Sequence, residues 1–298
     1  MKPLLISCGR YDANMMEYLA ECMRKREIGY AHTVDASYED FSWYDCVLIL
    51  GDKYEHLQNA MDAYEMDVPV CHLHGGEDTY AHKDQGFRYA ISNLSEIHFA
   101  ATSRSRDKLT RLGFQNVHCV GALGVEILLG LGDLPAFVDT GSLSVGIAHN
   151  PQEGEDPTEI VKACNKLTEE SHRDVNFYVT APFPYGGLRG GNVRWWKSMG
   201  MKYYQLLMQA DVMIGNSSSL VVEAPVAGCG IVLVGDRQKG RELASNIIES
   251  PCESSMIVEA VEKALGTDPV EPEDHPYFLP NTSDRIIKIL EERWPEQT

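Results

Sequence analysis

Residues 215–241 read GNSSSLVVEAPVAGCGIVLVGDRQKGR. The apolar run ADVMIG leading into them stops at Gly215, as a buried strand does. Asn216, Ser217, Ser218 and Ser219 follow, and then LVVEAPVAG, which reads as a helix ended by glycines. GIVLVG is a second strand, leading into Asp236-Arg237-Gln238-Lys239-Gly240-Arg241. The unit is β-α-β. A helix that begins in hydroxyls offers unpaired N–H groups and the positive end of its dipole, so Ser217 and Ser218 are expected to receive a phosphate. Glu223 lies further along the same helix, within reach of a sugar hydroxyl. Arg237 and Arg241 leave the next strand at its carboxyl end, where open α/β sheets bind ligands. The plainer alternative is that the serines only cap the helix, and this stretch alone leaves both open.

The chain has 298 residues, 44% hydrophobic and 23% charged, enough for two domains with real cores. Lys and Arg total 26 against 44 Asp and Glu, a net charge of −18. Nucleic acid and anionic membranes demand basic footprints, so neither is expected as a partner. A locally positive pocket for phosphate is still compatible with that charge. The eight cysteines are scattered without a C-x-x-C pair and read as reduced core residues. MKPLLISCGR is too short an apolar start for a signal peptide, and no run approaches a membrane span, so a cytoplasmic protein is expected.

Short apolar strands alternate with amphipathic helices along the whole chain, the pattern of an α/β class with parallel sheets. PLLISC is followed by the turn Gly9-Arg10-Tyr11-Asp12 and a helix. CVLIL runs into Gly51-Asp52-Lys53; Asp52 at a strand end suits a catalytic carboxylate or a helix N-cap, and the residues alone leave the two even. VPVCHLH ends in Gly75-Gly76-Glu77, glycines that permit close approach to a ligand. His72, His74 and Glu77 invite a metal reading, but no established ligand spacing supports it, and no metal or cofactor is expected. Asp84 and Arg88 stand four apart on a helix, facing one cleft or forming an exposed salt bridge. The glycine-rich run 121–142 reads as the crossing into a second domain, whose first strand delivers His149 at its end. The boundaries expected are 1–140 and 141–282, with 283–298 a final helix returning to the first domain.

GNSSS, VEAP and GDRQKGR together resemble the hydrolysing UDP-N-acetylglucosamine 2-epimerases, which make N-acetylmannosamine-type sugars for sialic and related acids. GRYD at Gly9, GDKYEHL at Gly51, HLHGGE at His72, RYAISNLSEIHFAATS after Asp84, GALGVE at Gly121 and AHNP at Ala148 continue the likeness in order. The resemblance implies two Rossmann-like domains facing across a cleft, the first for the sugar and the second for UDP. It implies Asp52, Glu77, Asp84 and His149 as catalytic residues. Arg10, Arg88, Ser217, Ser218, Glu223, Arg237 and Gln238 become the substrate contacts, with Arg10 reaching the diphosphate. Many relatives are dimers, so a homodimer is compatible with the resemblance, which does not fix the oligomeric state.

Three departures stand out. The stretch between Arg10 and Asp52 is short by a strand-helix unit; Lys83-Asp84-Gln85 and Phe87-Arg88-Tyr89 replace the usual residues; PFPYGGLRGG replaces an Asn-Asp-Ala-Gly loop. Elimination of UDP followed by hydration needs a base for the C2 proton, an acid/base for water and dipoles for the leaving diphosphate. Three carboxylates and the serine turn supply these. A glycosyltransferase of the same fold and a non-catalytic UDP-sugar-binding protein are the alternatives, and UDP release from a sugar nucleotide separates the latter.

Overall fold

The computed structural model describes residues 1–8, 10–34, 40–79, 84–180 and 186–295, and the backbone alone of Arg10 and Tyr11. The chain divides into two compact units, Met1–Ile127 with Pro276–Thr298, and Leu128–His275.

In the first unit, β1 (Pro3–Ile6), α1 (Arg10–Lys25), β2 (Ala31–Thr33), β3 (Cys46–Leu50) and α2 (Tyr54–Glu65) come in order. They are followed by β4 (Val70–Leu73), α3 (Asp84–Leu94), β5 (Ile97–Ala100), α4 (Ser103–Arg111), β6 (Val117–Cys119) and α5 (Leu123–Gly130). The strands pair in parallel in the order β2-β1-β3-β4-β5-β6. β3 is CVLIL, buried at every position, because helices cover both faces of a parallel sheet. Between Thr33 and Cys46 the described residues hold only a 3₁₀ turn, Phe41–Trp43, capped by Asp40 onto the Ser42 N–H at 3.0 Å. Phe41 enters the core beside Leu4, Val47 and Ile91, covering sheet that a full crossover helix would otherwise cover.

The second unit runs β7 (Leu143–Ala148), α6 (Thr158–Glu170), β8 (Val175–Val179), β9 (Asn192–Trp195), α7 (Lys202–Gln209) and β10 (Val212–Gly215). Then come α8 (Ser219–Val222), β11 (Gly230–Val234), β12 (Ile247–Ser250) and α9 (Ser254–Ala264). This sheet is also parallel, in the order β12-β11-β10-β7-β8-β9. Its core stacks Val145, Ile147, Phe177, Ile214 and Val232 against Ile160, Cys164 and Ile257 of the helices. The chain then returns to the first unit in α10 (Thr282–Arg293).

Two expectations change locally. The helix expected over LVVEAPVAG is one turn, α8, followed by a 3₁₀ turn at Ala224–Val226. Pro225 lacks an N–H and disfavours helical backbone in the residue before it, so the helix stops. The glycine-rich run 121–142 is not all crossing, since it contains α5. Among the described residues no helix is long and apolar enough to cross a membrane.

Candidate active site

Parallel sheets gather their loops at the strand carboxyl ends, and each unit builds one polar cluster there. In the first unit the turn after β3 is set by histidine. His72 on β4 is fully buried, with Nε2 2.8 Å from the Gly51 carbonyl and Nδ1 2.9 Å from Ser92 Oγ. A carbonyl only accepts, so Nε2 carries the proton and Nδ1 accepts from the Ser92 hydroxyl. Burial pushes this ring down to about 3, so it is neutral at pH 7. Gly51, at φ +109°, then turns the chain so that Asp52 leaves the strand end.

Asp52 pairs with Arg88 of α3. The Arg88 side chain is only 2% exposed, whereas that of Asp52 is 24% exposed. Arg88 also donates Nη1 to the Glu77 carbonyl at 2.9 Å, to Gln85 Oε1 at 2.8 Å and to Thr79 Oγ1 at 3.3 Å. A buried guanidinium with one carboxylate removed is left uncompensated, which costs about 3–5 kcal/mol, so Asp52 and Arg88 are fixed together. Glu77 is buried, and its Oε1 lies 2.8 Å from His74 Nδ1. Asp84 opens α3, one helical turn before Arg88. One rigid group therefore joins Asp52, Arg88, Glu77 and His74, with Asp84 on the helix that supplies Arg88. Arg10 begins α1, but its side chain lies outside the described residues.

Beside this group stands Asp12, which the sequence reading gives only as the last residue of the Gly9–Asp12 turn. Asp12 on α1 is buried and accepts from the Cys8 N–H at 2.7 Å, with His56 Nε2 at 3.0 Å and Lys53 Nζ at 3.5 Å. Burial would raise this carboxyl, but the bonds to His56, Lys53 and the Cys8 N–H outweigh it and hold it low. Asp12 therefore ties the loop after β1 to the loop after β3. Its partners lie up to 44 positions away, so no local spacing announces it.

In the second unit the ends of β7 and β10 are stitched together. Gly215, partner of Ala148, has φ +150°, and a Cβ there would sit 2.1 Å from the Ala148 carbonyl oxygen. That oxygen accepts from the N–H groups of Asn216 and Ser217, both at 3.1 Å. The Asn216 amide closes a pair with the Asn150 backbone, receiving its N–H at 2.7 Å and donating to its carbonyl at 2.8 Å. The Asn216 carbonyl in turn accepts from Arg237 Nη1 at 3.0 Å and Gln238 Nε2 at 2.7 Å. His149, Asn216, Arg237 and Gln238 are thus brought to one place.

His149 is buried, and its Nε2 lies 3.3 Å from Glu155 Oε2. Burial, with the Arg237 charge second, pushes this imidazole down to about 4. Burial raises the Glu155 carboxyl from its ordinary range. Ser219 Oγ donates to Ser217 Oγ at 2.9 Å and lies 2.5 Å from the Tyr203 hydroxyl. Ser218 stands before α8 and makes no side-chain capping bond, so capping does not account for its hydroxyl. Glu223 ends α8 with no exposure at all. Among the described residues no group of three or more His, Cys, Asp or Glu side chains converges to hold a metal ion.

Two parallel α/β units with charged groups at their strand carboxyl ends define a two-unit Rossmann-like protein. The chain belongs to the UDP-N-acetylglucosamine 2-epimerase family, whose sequence profile matches residues 35–291. It is 28% identical over 292 residues to polysialic acid biosynthesis protein P7 of Escherichia coli, covering 86% of this chain and 73% of that one. It is 29% identical over 267 residues to the UDP-N,N'-diacetylbacillosamine 2-epimerase (hydrolyzing) of Legionella pneumophila, covering 83% of this chain and 70% of that one. The fold is that of the S. aureus MnaA–UDP co-structure, with a TM-score of 0.80 at 13% identity over 98% of this chain and 96% of that one.

Proposed function

We propose that this chain is a hydrolysing 2-epimerase of a UDP-N-acetylglucosamine-type nucleotide sugar, releasing UDP and an N-acetylmannosamine-type sugar. The observation that carries the reading is the buried Arg88, which joins Asp52 to the Glu77 turn in a chain of this family. Binding a nucleotide does not require one buried guanidinium to hold the Asp52 carboxylate and the main chain of Glu77 together, whereas moving a proton of low acidity requires carboxylates fixed in place. The hydrolysing Legionella relative supports the same choice of reaction.

In the first step a carboxylate of the Asp52, Glu77 and Asp84 set takes the C2 proton. The C–H electron pair becomes a C1–C2 double bond while the C1–oxygen bond breaks and UDP leaves with its pair. Water then adds across that bond, its oxygen to C1 and a proton to C2 from the opposite face. The serine turn at Ser217 and Ser218, with Arg237 and Gln238, holds the departing diphosphate. His149, neutral at pH 7, contributes a dipole there without adding a charge. Glu223 takes the ribose hydroxyls.

The test is release of UDP from a panel of UDP-amino sugars in deuterated water. Free UDP, inverted C2 and one deuterium at C2 are the expected products. Release with retained configuration and no label would mean simple hydrolysis and overturn the reading. An epimerised sugar still carrying UDP would mean a non-hydrolysing enzyme.

A further inference from the structure

The turn after β4 reads Leu73-His74-Gly75-Gly76-Glu77, and His74 has φ +63°. Five non-glycine residues among those described have positive φ, and four of them, Asp67, His74, Asn116 and Asn281, are of types enriched in the left-handed region. Glu27 is an exposed residue just past α1. His74 alone of the five touches the candidate site, and a non-glycine residue is held in this region only where its surroundings over-determine it.

Those surroundings are in place. The His74 N–H donates to the Phe99 carbonyl at 2.9 Å. A Cβ on Gly75 would meet His72 Nδ1 and Ser92 Oγ at 3.1 Å each, and one on Gly76 would sit 2.5 Å from the Ser105 carbonyl oxygen. The packed turn brings the imidazole back over itself, with Nδ1 2.8 Å from Glu77 Oε1. An ionised carboxylate only accepts, so Nδ1 carries the proton. Nε2 is buried and has no hydrogen-bond partner among the described residues. Among the described residues the ring therefore makes one polar contact, and it is to Glu77. Arg88 and Gln85 meanwhile hold the Glu77 carbonyl at 2.9 and 3.2 Å.

We infer that His74 is a positioning residue, kept in a strained backbone conformation so that its Nδ1–H fixes the Glu77 carboxylate. The inference rests on Glu77 taking part in proton transfer, as proposed above. A carboxylate pinned at its main chain and at one oxygen keeps its other oxygen on a single line, and small misplacements of a reacting group are costly.

Two variants separate this role from a merely structural ion pair. His74→Gly accepts φ +63° without strain but removes the donor. His74→Asn also adopts the left-handed region readily and places an amide N–H near the position of Nδ1. His74→Gly is expected to keep its KM, while kcat per folded molecule falls about ten- to a hundredfold, whatever the unpaired Glu77 carboxylate does to Tm. His74→Asn should recover most of that loss. A structural ion pair predicts instead that kcat is lost only in proportion to unfolded protein, and that result would overturn the inference. So would wild-type kcat in His74→Gly, or an Asn variant as slow as the Gly variant, since the second would implicate Nε2. If the wild type turns over no UDP-amino sugar, the functional reading falls and this one with it; turnover unchanged in His74→Gly sinks this one alone.

Discussion

Ser218 shows how one hydroxyl can be separated from the fold around it. A serine before a helix ordinarily accepts from an N–H two or three residues on, and losing that bond costs about 1 kcal/mol. Ser218 makes no such bond. Its neighbours are engaged instead, Ser219 with both Ser217 and Tyr203. Ser218→Ala should therefore leave Tm within about a degree, since Ser218 is only half-buried and its hydroxyl makes no capping bond for the change to remove. If the hydroxyl meets a phosphate oxygen, the same change loses a bond to a charged group, about 1.5–3 kcal/mol, or roughly tenfold and more in UDP affinity. Calorimetry with UDP alongside a thermal melt reads both numbers. A lower Tm with unchanged UDP affinity would return Ser218 to a purely structural role.

At the scale of the element, β4 and β5 set two histidines side by side: His72 and His98 are register partners in the middle of the first sheet. Burial pushes His72 down to about 3 and His98 down to about 4, each further lowered by a neighbouring histidine. The sign follows from proton counting. The unfolded chain binds a proton at each ring near the ordinary value of 6.5, whereas the folded chain takes them up only near 3 and 4. Between those limits the unfolded state binds more protons, so stability falls as pH drops, by about 1.4 kcal/mol per pH unit for each ring. Urea midpoints of the first unit should fall steadily from pH 6.5 to 4.5. His98→Gln should flatten that slope by one ring's share, whatever it does to stability at pH 7. An unchanged slope would show that His98 is not neutral in the folded protein.

At the scale of the whole molecule, the alternation of apolar strands and amphipathic helices makes the α/β class legible in the sequence, because strands buried on both faces must be apolar throughout. The strand-end positions of Asp52, Glu77 and His149 were legible for the same reason. Partnerships across the chain were not. Spacing on α3 left Arg88 either facing a cleft or on the surface, and its partner Asp52 lies 36 positions away. Asp12 with His56 and Ser283 with Glu126 are equally remote in sequence. The halted helix at Pro225 could have been read locally, since proline there forbids its continuation.

The chain's return to its first unit carries the last prediction. Ile286, Ile287 and Leu290 of α10 are fully buried. The Ser283 N–H and hydroxyl donate to Glu126 at 2.7 and 2.9 Å, and Arg26 meets Asp284 at 2.7 Å. The Tyr277 carbonyl accepts from the Ala122 N–H at 2.9 Å, and a Cβ on Gly121 would lie 2.7 Å from Thr282 Oγ1, so helix and strand end are closely fitted. Burying three large aliphatic side chains stabilises by about 1.5–3 kcal/mol each, as an upper estimate. Their sum is comparable with the whole stability of a typical domain, about 5–15 kcal/mol, whereas the exposed Arg26–Asp284 pair adds little. A chain ending at His275 should therefore lose its first unit and keep its second. Limited proteolysis should digest residues 1–127 and leave a resistant fragment close to 128–275. Under the proposed nucleotide assignment, UDP at about a hundred times its Kd should protect that fragment by about 2.7 kcal/mol and leave digestion of the first unit unchanged. Survival of residues 1–127 in the truncated chain would show that α10 only decorates the unit, and equal protection of both parts would move the nucleotide site out of the second.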